Sequence, residues 1–482
     1  LKKYLILGDP INTAVELNLA VQDPPYCLFR HSNQTFKEEI MAVKVAKFGG
    51  SSVADVIQLR KIKDIIKSDP ERRYIVVSAP GKRFEGDNKI TDLLYLVKTT
   101  MENMLPFEQL FQVVCDRYTA VHANLGLEVD MQSAYDEIKE KLRDNPSADY
   151  IASRGEYLNA LLIADFLGFD FVDAEGMVKF DEKGRFLMED TFEAIREELA
   201  KHEYAVIPGF YGSLPNGDIK TFSRGGSDIT GALVAGAIGA ECYENWTDVS
   251  GFLMADPRIV KDPKQIRVVS YKELRELSYM GASVLHEDAI YPARIADVPI
   301  NIRNTNVPED PGTMIVSEER AMELKAGDDI ITGIAGSKDF TVVALYKNMM
   351  SQEKGFVRRI LGILDDYDIG FEHLPSGIDT VSVVMSNKQI NGRLDEIINE
   401  FESRLRPDSI DIIENIAQIA TVGHMMSARM GTAAKLFTAL AEAGVNIRMI
   451  DQGSSELNII VGVENKDFNK AIQAIYNAFV EK

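Results

Sequence analysis

Only three cysteines, Cys27, Cys115 and Cys242, occur among 482 residues, and their wide separation supports neither a disulfide framework nor a zinc site. A reducing, cytoplasmic setting is therefore expected. Positive charge is also in short supply: 53 Lys and Arg face 74 Asp and Glu, a formal net charge of -21. That balance argues against nucleic acid or an anionic membrane as partner, because both attract clustered Lys and Arg. An anionic ligand would need a local basic pocket. Long apolar runs are missing as well: the most apolar stretch, 231–240, is short and made of small residues, whereas a membrane-spanning helix needs about 20. The N-terminus has no signal-peptide layout.

With 45% hydrophobic residues the chain is long enough for substantial cores in about two to four domains. Residues 1–40 look unlike the rest, with Pro24-Pro25 and many polar residues, and Met41 reads as a natural start. That stretch is expected to be an extension of unknown role. From 41 to 304, strand-like runs at 43–47, 74–78, 171–173, 204–207 and 241–245 alternate with amphipathic helices such as 56–67 and 91–101. Such alternation predicts an α/β three-layer sandwich with a mostly parallel sheet, and ligands at the carboxyl ends of its strands. After Pro311-Gly312 the rhythm changes. A β-α-β-β-α-β order appears twice, over 331–414 and 418–482, which predicts two ferredoxin-like α+β modules from an internal duplication. Their strand edges are expected to be free to pair with a neighbour.

Four segments carry chemistry. In Val43-Lys-Val-Ala-Lys47-Phe-Gly-Gly-Ser-Ser-Val53 an apolar strand runs into a lysine and then a glycine pair. Glycines let backbone N–H groups approach phosphate oxygens, and the lysine adds a mobile charge; the same pair also suits a plain tight turn. In Phe222-Ser-Arg224-Gly-Gly-Ser227-Asp228 a second glycine pair opens a small-residue helix expected over 229–239. There Ser227 or Asp228 could cap the helix while Arg224 faces an anion. In Ser153-Arg-Gly-Glu156-Tyr-Leu-Asn159 the glutamate is expected in a first helical turn, either as a capping acid or pointing into a cleft toward an ammonium. Finally, Asn245-Trp-Thr247-Asp248-Val-Ser-Gly251 and Asp256-Pro-Arg258 follow a strand, where a polar pair and an arginine suit a nucleotide. His286-Glu287 invites a metal reading, but position 290 is isoleucine, so the two-histidine zinc spacing is absent and no metal site is expected.

Taken together, Lys47-Phe-Gly-Gly-Ser-Ser-Val53, Gly155-Glu156, Pro208-Gly-Phe210, Arg224-Gly-Gly-Ser-Asp228 and Trp246-Thr-Asp248-Val resemble the aspartate kinases of the amino-acid kinase family. The duplicated modules look like the paired ACT domains of those enzymes, through Pro375-Ser-Gly-Ile-Asp379, Asn446-Ile447 and Gln452-Gly-Ser-Ser-Glu-Leu-Asn458. The resemblance covers nearly everything from Met41 onward.

What it implies is ATP-dependent phosphorylation of the β-carboxylate of L-aspartate, with Mg²⁺ on the nucleotide phosphates. This is the first step of lysine, threonine and methionine biosynthesis. By the resemblance, Lys47 neutralises the transferring phosphoryl group and Asp228 holds that lysine. Glu156 takes the substrate ammonium and Arg224 its α-carboxylate, with Ser78, Thr91, Phe210 and Ser227 completing the pocket. Gly49, Gly50, Ser51, Gly225, Gly226, Thr247, Asp248 and Arg258 fall to the nucleotide. An end-product effector, lysine or threonine, would touch Met350, Ser351, Gly355, Phe356 and Glu372, and the ACT-like edges imply a homodimer or a dimer of dimers. Two departures weaken the nucleotide side: Leu253 stands where the family often has tyrosine, and Ser283 where it has lysine, so that another cation such as Lys261 or Lys264 would have to substitute. A monofunctional enzyme is expected. The rivals are another amino-acid kinase and an amino-acid sensor whose kinase domain has lost activity.

Overall fold

In the run that carries Lys47, four consecutive residues (Val45, Ala46, Lys47 and Phe48) are buried, as befits a strand inside a parallel sheet covered on both sides. The computed structural model describes residues 42–480 apart from 224, 282–286, 326–329, 427–428 and 454; residues 1–40 of the expected extension lie outside that range. The strands of the first part are β1 (Lys44–Phe48), β2 (Arg72–Val77), β3 (Asp170–Phe171), β4 (Ala205–Pro208), β5 (Tyr211–Ser213), β6 (Ile219–Thr221), β7 (Cys242–Thr247), β8 (Val268–Ser270), β9 (Ile300–Asn304) and β10 (Thr313–Val316). Among the described residues they form an eight-stranded sheet ordered β3-β4-β2-β1-β7-β9-β10-β8, beside a β5-β6 hairpin. The pairs from β3 to β9 are parallel, and β10 runs antiparallel to β9. This is the expected α/β architecture. No helix among the described residues is long and apolar enough to cross a membrane. Cys115 and Cys242 are buried free thiols, pushed up to about 12 mainly by burial.

Two helices differ from expectation in ways that matter for the site. The helix Ala148–Leu167 starts at Ser147, whose side chain accepts the Tyr150 N–H, and stops at left-handed Gly168. Glu156 therefore sits in mid-helix and caps nothing. The helix Gly226–Ile238 begins three residues earlier than 229, because Gly225 at φ +58° turns the chain into it. Ser227 and Asp228 thus lie within its first turn, and no side chain caps it.

The regulatory half has β11 (Gly333–Tyr346), β12 (Thr380–Ser386), β13 (Ser409–Val422), β14 (Met449–Asp451) and β15 (Asn458–Glu464), in one sheet ordered β12-β11-β13-β15-β14. Two modules in succession, divided near 414–418, do not describe this pairing. The start of β11, Gly333 to Ser337, pairs with Val422 to Gln418, and its end, Phe340 to Tyr346, pairs with Ile416 to Ser409 and with β12. Residues 333–337 are therefore a strand of the second module, and the first module is threaded between that strand and the rest. Its separate core gathers Val343, Leu345, Phe356, Ile360 and Phe401. The helix Tyr271–Tyr279 joins the two halves. Glu273, fully buried, accepts from Lys325 Nζ at 2.8 Å, from the Thr332 hydroxyl and from the His424 N–H at 2.9 Å.

Beneath the sheet, Arg72 donates to both oxygens of Glu244 at 2.7 and 3.1 Å, Trp246 Nε1 adds a bond at 2.9 Å, and all three residues are buried. Removing one partner of such a pair strands the other charge without water. Glu244→Ala is expected to destabilise the protein by about 3–5 kcal/mol, read in denaturant by the fluorescence of Trp246, the chain's one tryptophan. Replacing Arg72 and Glu244 together with methionine should cost less, the remaining loss falling on Trp246 Nε1 and on Arg303, which lies 3.5 Å from Glu244.

Candidate active site

β1 delivers Lys47 to the carboxyl edge of the sheet, in register with Val76 on one side and Asn245 on the other. Of the two glycines after it, Gly50 is closely packed, whereas a Cβ on Gly49 would meet nothing nearer than 3.5 Å. A Cβ on Gly50 would lie 3.0 Å from the Ala79 carbonyl oxygen, and one on Gly81 would lie 2.8 Å from the Gly50 carbonyl. The loops are tied by Gly81 N–H to Gly50 O at 2.8 Å and Gly49 N–H to Trp246 O at 3.0 Å. Lys47 Nζ lies 2.6 Å from Asp228 Oδ1. Asp228 Oδ1 also accepts from Asn245 Nδ2 at 2.8 Å.

A cavity of about 310 Å³ opens at this pair and is lined by Lys47, Ser78, Thr91, Glu156, Phe210, Gly225, Gly226, Ser227 and Asp228, together with Tyr95 and Ser223. The first turn of the helix Gly226–Ile238 borders it, and the unpaired N–H groups of such a turn favour an anion. Phe210 holds φ at +82°, a strained conformation for a residue with a Cβ. Its N–H bonds Thr230 Oγ1 at 3.1 Å and its carbonyl accepts the Phe222 N–H at 3.0 Å. Gly226 is packed so tightly on it that a Cβ there would come within 2.5 Å of the Phe210 ring.

Glu156 is the acid of this cavity. It is buried, and its Oε2 has no hydrogen-bond partner. Burial pushes its carboxyl up to about 8, against the opposing pull of the Ala79 N–H bond and of the Arg154 and Lys47 charges. A cation brought to that bare oxygen would restore its charge. Sequence reasoning missed Asn245 as a partner of Asp228, because one polar residue among several in Cys242–Thr247 carries no local signal of what it faces. It also missed Tyr95, one helical turn after Thr91, and Asn159, whose Nδ2 donates to the Ser78 carbonyl at 2.7 Å.

Of the nucleotide residues named from sequence, Gly225 and Gly226 line this cavity, and the others do not. Gly49, Gly50 and Ser51 form the turn behind Lys47. Thr247 ends β7 and donates to Asp248 Oδ1 at 3.1 Å. Arg258 is clamped by Asp256, at 2.6 Å at the closest, and lines a second cavity of about 570 Å³ with Leu253, Phe468 and Lys338. Arg224, Ser283 and His286 lie outside the described residues. Lys264 gives its N–H to the Tyr476 hydroxyl at 2.8 Å. Among the described residues no group of three His, Cys, Asp or Glu side chains is placed to hold a metal ion.

In the first regulatory module Met350 and Phe356 are buried in its core, while Ser351 and Gly355 are exposed, Gly355 at φ +77° as the cap of the helix Phe356–Asp366. Glu372 is half-buried. It accepts from the Tyr279 hydroxyl at 2.5 Å, across to the catalytic half.

The raised Glu156 carboxyl has a defined consequence for stability. Its folded value, about 8, lies above the ordinary 4.5, so the stability from holding the proton is complete below about pH 4.5 and is lost as pH rises toward 8. Glu156→Gln, uncharged throughout, escapes that loss. In ligand-free thermal melts the variant should gain on the wild type steadily between pH 5 and pH 8; a constant difference would contradict the shift.

Residues 42–304 match the amino acid kinase family, and residues 419–479 match an ACT domain. Aspartokinase 3 of Bacillus subtilis (strain 168) is 36% identical over 455 residues, which take in 91% of this chain and 98% of the relative. The crystal structure of Clostridium acetobutylicum aspartate kinase is similar at a TM-score of 0.84 and 51% identity, over 91% of this chain and 100% of that one. Two structures of E. coli aspartokinase III, each 24% identical, share the fold: one in complex with aspartate and ADP at a TM-score of 0.65, over 90% of this chain and 99% of that one, and one in complex with lysine and aspartate at 0.68, over 91% and 100%. This chain belongs to the amino acid kinase family, as one of its aspartokinases.

Proposed function

We infer that the protein transfers the γ-phosphoryl group of ATP to the β-carboxylate of L-aspartate, giving 4-phospho-L-aspartate and ADP, under feedback control by an end-product amino acid. One observation carries the reading. Lys47, held by Asp228 at 2.6 Å, shares a cavity with a buried acid, one oxygen of which has no partner. The first pole suits a phosphoryl group and the second an ammonium.

The chemistry needs no covalent enzyme intermediate. A carboxylate oxygen of aspartate attacks the γ-phosphorus, the bond to the bridging oxygen breaks, and ADP leaves with its negative charge. Catalysis is then positioning plus charge stabilisation. Lys47 and the first-turn N–H groups from Gly226 onward face the charge that gathers on the transferring group. Glu156 receives the substrate ammonium, and the arriving cation ionises its carboxyl. Arg224 is assigned the α-carboxylate, which a guanidinium fork matches. Ser78, Thr91, Phe210 and Ser227 shape the pocket around the substrate. ATP arrives as its magnesium complex, its phosphates near Gly49, Gly50, Ser51, Gly225 and Gly226, its remaining part toward Thr247, Asp248 and Arg258.

Regulation is assigned to the first module, with Ser351, Gly355 and Glu372 as effector contacts and Met350 and Phe356 as the packed wall behind them. Lysine or threonine is the effector. A lysine ammonium drawn to Glu372 would compete with the Tyr279 hydroxyl, which now holds that acid. An effector inhibits only by preferring a less active state, and breaking a contact to the catalytic half supplies such a preference. We place the enzyme in the cytoplasm as a homodimer or dimer of dimers, with β12 and β14 as the terminal strands of the regulatory sheet.

Aspartate, ATP and hydroxylamine should yield aspartyl hydroxamate and ADP in equal amounts; an amino-acid sensor with a lapsed kinase domain would bind and yield none. Lys47→Ala and Asp228→Ala are expected to lower kcat by about 10²–10³, and wild-type turnover in either would overturn the mechanism. Glu372→Ala should raise the lysine or threonine concentration needed for half-inhibition, measured with each effector alone and with both.

A further inference from the structure

We propose that Asn245 is a positioning residue for phosphoryl transfer: it fixes the Asp228 carboxylate so that Lys47 can turn toward the nucleotide without drawing its counter-ion along. The proposal rests on the roles given to Lys47 and Asp228 above.

The geometry begins in the sheet. Lys47 on β1 and Asn245 on β7 are direct register partners, so their side chains leave the same face side by side. Both converge on one oxygen, Asp228 Oδ1, at 2.6 and 2.8 Å. Tyr243, two residues before Asn245 and therefore on that same face, donates its hydroxyl to the main-chain carbonyl of Asp228 at 3.1 Å. Gly231, one turn along the helix, leaves room for this tyrosine, since a Cβ there would come within 2.5 Å of its hydroxyl oxygen. β7 thus grips Asp228 twice, by its backbone and by its carboxylate.

The chemical type at 245 is informative. The side chain is 3% exposed, and a buried amide requires a reason. An amide donates without adding charge, so the ion pair keeps its balance. A flexible lysine alone would leave the carboxylate to follow whenever the ammonium moved. A fixed carboxylate instead anchors one direction of approach and leaves the ammonium's other protons for phosphoryl oxygens. Misplacement of a reacting group by about 1 Å can cost on the order of 10²-fold in rate.

Two substitutions of similar shape separate positioning from mere packing. Asn245→Leu keeps the branched shape, at a somewhat larger volume, and removes the donor. It should lower kcat by about 10–100-fold while the KM values for aspartate and ATP stay within about two-fold. Asn245→Asp keeps the shape but sets a second carboxylate against Asp228. A shared proton restores the donor at low pH, because two adjacent carboxylates do not ionise together readily. Its deficit relative to the wild type should therefore shrink as pH falls from 8 to 6. A structural role predicts a deficit that follows thermal stability and ignores pH. Wild-type kcat in Asn245→Leu, or a pH-independent deficit in Asn245→Asp, would overturn the proposal, and the second result decides if the leucine variant does not fold. Lys47→Ala is assayed in parallel: if it is crippled while the Asn245 variants are normal, only this proposal falls, and if it turns over normally the reading beneath it falls first.

Discussion

The ion pair between Lys47 and Asp228 is the constraint around which the catalytic half is arranged. It joins the end of β1 to the first turn of the helix Gly226–Ile238, two elements about 180 residues apart in sequence that meet because parallel strands bring their carboxyl ends to one edge. The surrounding features serve the junction. Glycines at 50 and 81 let two loops close behind the lysine, Gly225 starts the helix at the right residue, and Gly226 admits Phe210 against its backbone. Asn245 and Tyr243 hold the aspartate from the neighbouring strand. The result is a small positive pole in a protein of net charge -21.

Opposite that pole stands Glu156, kept neutral near pH 7 by burial until a cation reaches it. An acidic amino acid carries both the cation that Glu156 lacks and the carboxylate that Lys47 can serve. The site therefore selects its substrate by two charges of opposite sign, each offered where the protein has left it unmatched. Such selection loses meaning if either pole moves, which is why the supporting packing is so close.

Much of this was legible in the sequence. The strands at 43–47 and 241–245 and the helix 56–67 follow from apolar period and length, and the two glycine motifs announce where the backbone must come close. Residues that meet through the sheet were harder to read. Asn245 looks like the start of a loop motif, and only register with Lys47 reveals what it faces. Glu156 reads as an acid in a first helical turn, yet the helix begins after Ser147 and runs through. The regulatory modules repeat locally, so they read as two units in succession. Long strands β11 and β13, each shared between modules, interleave them, and pairing between residues 63 to 89 apart has no local pattern. The bond from Tyr279 to Glu372 is invisible for the same reason.

The helix Tyr271–Tyr279 gives that interleaving a mechanical meaning. It meets the regulatory sheet at Glu273 and Glu276 and the first module at Tyr279, so a shift of either module is felt in the catalytic half. The account turns, however, on the charged junction itself. Its most direct test is a crystal structure with aspartate and a non-hydrolysable ATP analogue bound together. The account predicts Lys47 Nζ within hydrogen-bond distance of a γ-phosphate oxygen, with Asp228 still bonded to Asn245 and the aspartate ammonium on Glu156. A γ-phosphate seated away from Lys47, with the lysine locked in its pair, would contradict it.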